Sequence, residues 1–135
     1  MSITEMKMML NMDARNSTKQ REFAKKLHEL YKTCVICGIS IPVEGAHIVP
    51  WCDREEFDID NGLLMCNNHH ALFDRFLFTI DPNTLIIKLS NEMNEDKHHK
   101  VYKNKIICVP KEINLDNLKN NLSSHYDKFT MHSDK

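Results

Sequence analysis

A chain of 135 residues with 41% apolar content, three glycines and four prolines suits one folded domain and excludes a linker-rich or low-complexity polymer. A formal net charge of −1 excludes a globally basic nucleic-acid binder, so any contact with nucleic acid must use a local patch. The opening MSITEMKMMLNMD carries acids and no continuous apolar run, and no stretch of about 18 apolar residues follows, so neither a secretory leader nor a membrane span is expected and the protein reads as intracellular.

Residues 1–14 are Met-rich without a clear period and read as a flexible arm. RNSTKQREFAKKLHELYK, residues 15–32, predicts a helix. Ser17 and Gln20 fit a capping box, and Phe23, Leu27, Leu30 and Tyr31 recur at helical spacing. The other face carries Arg15, Lys19, Arg21, Lys25, Lys26 and Lys32. AHIVP, ended by Pro50, predicts a strand. GLLM predicts a second strand after the turn at Asn61-Gly62, and CNNHHALFDRF predicts a short helix. FLFTID and TLIIKL, separated by Pro82-Asn83, predict a hairpin, with KIICVP as a third strand of that sheet. Residues 97–111 hold five lysines and no acid. Leu115, Leu118, Leu122, Tyr126 and Phe129 mark the buried stripe of a last helix. No repeat or domain boundary interrupts this order, which gives a single α+β domain over residues 1–135.

The chemistry is concentrated between Cys34 and Asp74. Cys34-x2-Cys37 and Cys66-x2-His69 are two knuckles, each able to offer two ligands to one ion. Structural zinc takes four thiolate or imidazole ligands in a closed tetrahedron, and thiolates favour zinc over magnesium or calcium. In a chain without a leader, an odd cysteine count with a CxxC also favours metal over disulfides. Cys52 and Cys108 have no partner pattern. With His69 assigned to zinc, His70 is left over. Adjacent helical residues point about 100° apart, so His70 faces elsewhere, and Asp74 lies four residues on along the same face. An imidazole and a carboxylate at that spacing can share one divalent cation.

GAHIVP, DIDNGLLMC and CNNHHALFD together resemble the HNH endonuclease family over roughly residues 34–81. His47, Asn61 and His70 match the three letters of that name. The branch with AHI and HHxLFD, common among restriction-type enzymes, is the nearer likeness. Weaker outer matches fall at Gln20, Phe23, Tyr31 and Cys34, and at Leu122, His125 and Phe129. The resemblance implies a ββα-metal core with a structural zinc, flanked by N- and C-terminal helices and a small antiparallel sheet. It also implies metal-dependent hydrolysis of DNA phosphodiesters, with Mg2+ or Mn2+ as the catalytic ion.

In that frame His47 is the candidate general base, since a neutral imidazole suits proton abstraction near pH 7. His70 and Asp74 would bind the catalytic ion. Asn61 would orient His47 or shape the turn between the strands. Many family members carry Asp directly before the first histidine, where this chain has Ala46, and Glu44 and Asp60 are stand-ins for that ligand. Arg54, Lys25, Lys26, Lys100, Lys103 and Lys105 are candidate phosphate contacts, and Trp51 follows Pro50 near the groove. Double-stranded DNA is the expected partner. A homodimer would supply two active sites, and no membrane is involved. The alternative is a zinc-stabilised nucleic-acid-binding or interaction module without turnover.

Overall fold

A long helix, α1 (Ile3–Tyr31), leads the computed structural model, which describes residues 2–50 and 58–133, the side chains of 4–16 and 133 excepted. The expected start at Ser17 is corrected: the backbone is already helical from Ile3, and Ser17 lies mid-helix. Residues 3–14 contain no glycine or proline and are rich in Met, with Leu, Lys, Glu and Ala, so intrinsic propensity carries the helix past the capping box. Lys32, at φ 68°, turns the chain out of α1 toward the first knuckle.

Strand β1 (Val43–His47) pairs antiparallel with β2 (Gly62–Cys66), with Val43 opposite Cys66 and His47 opposite Gly62. Helix α2 (Asn67–Asp74) follows β2 without a break. β1 lies earlier than AHIVP suggested. Ile48 and Val49 leave the ladder because Asn61 captures their amides, the first through its carbonyl (3.0 Å) and the second through Oδ1 (2.9 Å). β3 (Phe78–Ile80) and β4 (Ile87–Leu89) form the expected hairpin. The expected third strand is not formed. KIICVP makes a single bridge, Ile86 to Ile106, after a turn at Asn104, whose φ of 65° swings the chain across the hairpin. A short helix α3 (Asn91–Glu95), capped by Ser90 Oγ, and a 3₁₀ turn (Lys100–Tyr102) precede it, both without a forecast in the sequence. Helix α4 (Leu115–Ser133) closes the fold.

The β1–β2 ribbon is packed on both faces. Leu63 and Met65 enter the main core with Phe73, Phe78, Ile80, Ile87, Leu118 and Leu122, while Leu64, pointing the other way, meets Phe23 and Leu27 of α1. α1 lies unusually near the ribbon because two glycines leave room. A Cβ at Gly62 would stand 2.5 Å from Phe23 Cζ, and one at Gly45 would stand 3.0 Å from Ala24 Cα. In α4, Leu118, Leu122 and Phe129 are buried as expected, whereas Leu115 is 43% exposed.

Candidate metal centre and active site

The two knuckles meet. Cys34 opens a tight turn in which its carbonyl accepts from Gly38 N (2.9 Å) and its amide donates to Ile39 O (2.8 Å). Cys66 ends β2 and caps α2, its sulfur accepting from His69 N at 3.4 Å. All four ligand atoms of Cys34, Cys37, Cys66 and His69 lie within 4.8 Å of one another. Cys37 Sγ and Cys66 Sγ are 3.9 Å apart, and His69 Nδ1 is 3.1 Å from Cys66 Sγ and 3.8 Å from Cys34 Sγ. Tetrahedral zinc, with bonds of about 2.3 Å to sulfur and about 2.0 Å to nitrogen, needs ligand atoms about 3.5–3.8 Å apart. The cluster fits that ion closely.

Its electrostatics point the same way. Burial works against ionising Cys34, but the His69 contact and backbone hydrogen bonds outweigh it and bring the thiol down to about 6. Cys37 is pushed up to about 11 by burial and by the neighbouring thiols Cys34 and Cys66. Three thiols this close cannot all ionise unless a cation sits among them. The His69 ring is fixed by edge contacts to Tyr102 (5.3 Å) and Phe78 (5.9 Å). The unforecast 3₁₀ turn therefore has a job: it sets Tyr102 against the His69 ring.

A second constellation stands on another side of α2. His70 Nε2 is 3.2 Å from Asp74 Oδ2, one helical turn on, and His70 Nδ1 is 2.5 Å from Glu44 Oε1 on β1. The Asp74 hydrogen bond, helped by Glu44 and opposed by burial, raises the His70 imidazole to about 9. Two carboxylates around one imidazole make a place that attracts positive charge, which suits a divalent cation. Asp60 is not part of it. Its carboxylate accepts from Asn114 N (3.0 Å) and Asn117 Nδ2 (3.1 Å), anchoring the start of α4.

His47 ends β1 and is half-buried, its ring stacked on Phe23 at 4.3 Å between centroids. Its pKa is lowered, first by burial and then by the positive charge of His70, with Asp74 acting against them. The imidazole thus stays neutral near pH 7, and the charges of His70 and Asp74 both reach it. Asn61 is fully buried, and both ends of its amide are engaged by Val49: Oδ1 accepts from Val49 N and Nδ2 donates to Val49 O, each at 2.9 Å. Of the two roles open to it from sequence, this geometry is that of the turn-shaper.

Lys25 and Lys26 are exposed on α1. Lys100, Lys103 and Lys105 are exposed on the segment that covers His69, and Lys105 Nζ stands 5.7 Å over the Tyr102 ring. The basic stretch therefore belongs to the zinc side of α2. Arg54, Trp51 and Cys52 lie outside the described residues. Cys108 is exposed and apart from the cluster. Phe23 and Glu44 are the neighbours that define the site and that no local pattern singles out for these contacts.

Residues 34–81 match a family model described as HNH endonuclease. The match opens on Cys34, ends just after β3, and contains both knuckles, His47, Asn61, His70 and Asp74. Over that segment the chain is similar to the HNH endonuclease family. A solved structure described as "Modification dependent TagI restriction endonuclease" is similar, with a TM-score of 0.55 and 25% identity over 76% of this chain. The chain spans 37% of that neighbour's length. No curated protein matches the chain. The chain has the expected α+β build, small antiparallel ribbons with helices and a Cys/His cluster suited to zinc. Among the described residues, no helix is long and apolar enough to cross a membrane.

Proposed function

We propose that the protein is a metal-dependent endonuclease that hydrolyses DNA phosphodiester bonds. The observation that carries this reading is a neutral imidazole, His47, set within electrostatic reach of the His70–Asp74 pair, beside a separate Cys3His cluster. A structural clamp alone has no use for such a pair. The similar restriction endonuclease supports DNA as the substrate.

His47 takes the proton from the attacking water. Burial and the adjacent positive charge keep it neutral for that task, and the Phe23 face fixes its plane. His70 and Asp74 would hold a divalent ion, Mg2+ or Mn2+, which would supply charge neutralisation for the phosphate and the leaving 3′ oxygen. Asn61 acts at one remove, by pinning the backbone that follows His47. Cys34, Cys37, Cys66 and His69 would hold a structural zinc, which would tie the N-terminus of α2, the helix that carries His70, to the turn after α1. Lys25, Lys26, Lys100, Lys103 and Lys105 supply phosphate contacts that position the duplex without reading its sequence. Two copies, each cutting one strand, would complete a double-strand break.

The test is cleavage of supercoiled plasmid with Mg2+ or Mn2+, wild type beside His47→Ala, with zinc measured in both. The expected result is cutting by wild type that excess chelator abolishes, and no cutting by a variant that still holds one zinc per chain. If both proteins hold zinc and shift DNA on a gel while neither cuts, the chain is a zinc-clamped binding module instead.

A further inference from the structure

Glu44 and Ala46 share one face of β1, because side chains alternate along a strand. Ala46 is fully buried in the main core and offers no ligand. The strand's carboxylate therefore comes from two residues earlier and reaches His70. This gives His70 a carboxylate on each ring nitrogen, and an imidazole has only one lone pair to give to a metal. The two carboxylates cannot have the same role.

The distances separate them. Two ligand atoms on adjacent corners of an octahedral Mg2+ site, with bonds of about 2.0–2.1 Å, stand about 3 Å apart. His70 Nε2 and Asp74 Oδ2 are 3.2 Å apart, a long hydrogen bond whose proton an ion could replace at nearly the same spacing. His70 Nδ1 and Glu44 Oε1, at 2.5 Å, are in direct hydrogen-bond contact and leave no place for an ion between them.

We propose that Glu44 is a positioning residue: it accepts a hydrogen bond from His70 Nδ1–H, fixes the ring and its tautomer, and so presents Nε2 with Asp74 to the catalytic ion. This rests on the nuclease reading above. A carboxylate behind a metal-bound histidine also raises the basicity of the ligating nitrogen, and its loss typically weakens metal binding about 10–100-fold. The stand-in for the missing acid at position 46 then works through His70 and does not ligate.

The experiment compares zinc-loaded wild type, Glu44→Ala, Glu44→Gln and Asp74→Ala. Mn2+ affinity is read by electron paramagnetic resonance, and the His70 tautomer by 15N spectra of the Mg2+-saturated protein. In wild type the His70 proton is expected on Nδ1. Glu44→Ala is expected to raise the Mn2+ Kd about 10–100-fold, and Glu44→Gln, which keeps an acceptor oxygen, to recover most of that loss. Asp74→Ala is expected to bind Mn2+ more weakly than either. Zinc content and melting temperature should be unchanged by Glu44→Ala, since the side chain is 47% exposed. A proton on Nε2, or a glutamine variant no better than alanine, would make Glu44 a ligand and overturn the proposal. An unchanged Kd in Glu44→Ala would overturn it by showing no role. Wild type that binds no Mn2+ beyond its zinc would remove the nuclease reading as well, an outcome distinct from the other three.

Discussion

The imidazole of His47 lies flat on the Phe23 ring, 4.3 Å between centroids and 9° from parallel. The same Phe23 ring occupies the space left by Gly62, the residue opposite His47 in the ribbon. One aromatic side chain on α1 thus sets both the helix–ribbon spacing and the plane of the His47 ring. Phe23→Leu keeps an apolar side chain but removes the flat face. It should cost about 1–2 kcal/mol in urea unfolding. Single-turnover plasmid nicking should fall more steeply, roughly 10- to 100-fold, because small misplacements of a reacting group are expensive. If nicking follows stability and nothing more, the stack is packing alone.

His69 and His70 are neighbours in sequence with opposite assignments. His69→Ala removes a ligand from the Cys3His cluster, so zinc content and melting temperature should both fall. His70→Ala should keep one zinc and the fold while losing about 10²-fold or more in cutting, the scale of several kcal/mol that a metal contributes. Elemental analysis, circular dichroism melts and nicking on the same two preparations separate the assignments. Loss of zinc from both variants would merge the two sites into one.

Removal of zinc should unfold more than a loop. The ion would join the end of α1, the end of β2 and the start of α2, and the buried ligands Cys34, Cys66 and His69 adjoin the main core. A strong zinc chelator should therefore abolish cooperative thermal unfolding, with recovery on adding zinc and not on adding Mg2+. Retention of a cooperative melt after verified zinc loss would mean the core holds the knuckles by itself.

What could be read in the sequence was what is local. The knuckle spacings, the Asn61-Gly62 turn and the i, i+4 pair of His70 and Asp74 are fixed by a few covalent steps, and the side chains of Cys34, Cys37, Cys66 and His69 do come together. Contacts made by distant segments were less legible. Glu44 could be named as a stand-in for the acid missing at Ala46, but its hydrogen bond to His70, 26 positions away, could not. Tyr102 meets His69 only because the chain returns over α2 in a turn with no periodic signal. KIICVP has the composition of a strand, yet the backbone bonds of residues 104–107 to Leu85 and Ile87 make one bridge, at Ile86 and Ile106, and no ladder. The start of α1 was misplaced because a good capping box carries no weight when helix-forming residues continue upstream.

Asn61 tests the division between positioning and chemistry. Its amide satisfies both the N–H and the C=O of Val49 from a fully buried position. Asn61→Ala leaves both groups without that partner and should cost about 2–4 kcal/mol in urea unfolding. Asn61→Asp keeps the acceptor for Val49 N but turns a second oxygen toward the Val49 carbonyl. At neutral pH it should be at least as destabilised as the alanine variant, with partial relief where the acid is protonated. Stability near wild type in either variant would refute the clamp.

His125 gives the fold a pH dependence of defined sign. Its ring is buried, stacked 3.6 Å from the Phe73 ring, with Nε2 donating to Phe73 O (2.8 Å) and Nδ1 accepting from Thr79 Oγ1 (2.7 Å). The carbonyl can only accept, which fixes the neutral Nε2–H tautomer. Burial, with Lys128 adding to it, lowers the pKa to about 4 despite the Phe73 carbonyl and Asp74. The unfolded chain, titrating near 6.5, binds the proton more readily than the native one. The stabilisation is therefore complete above about pH 6.5 and is lost as pH falls toward 4, a change on the order of 3 kcal/mol. Urea unfolding of wild type and His125→Asn across this range isolates the effect, because acid release of zinc acts on both proteins alike. The wild-type advantage should shrink steadily from pH 7 to pH 4.5. Parallel curves would mean that His125 is protonated in the native fold, and that its place behind α2 carries no cost of burial.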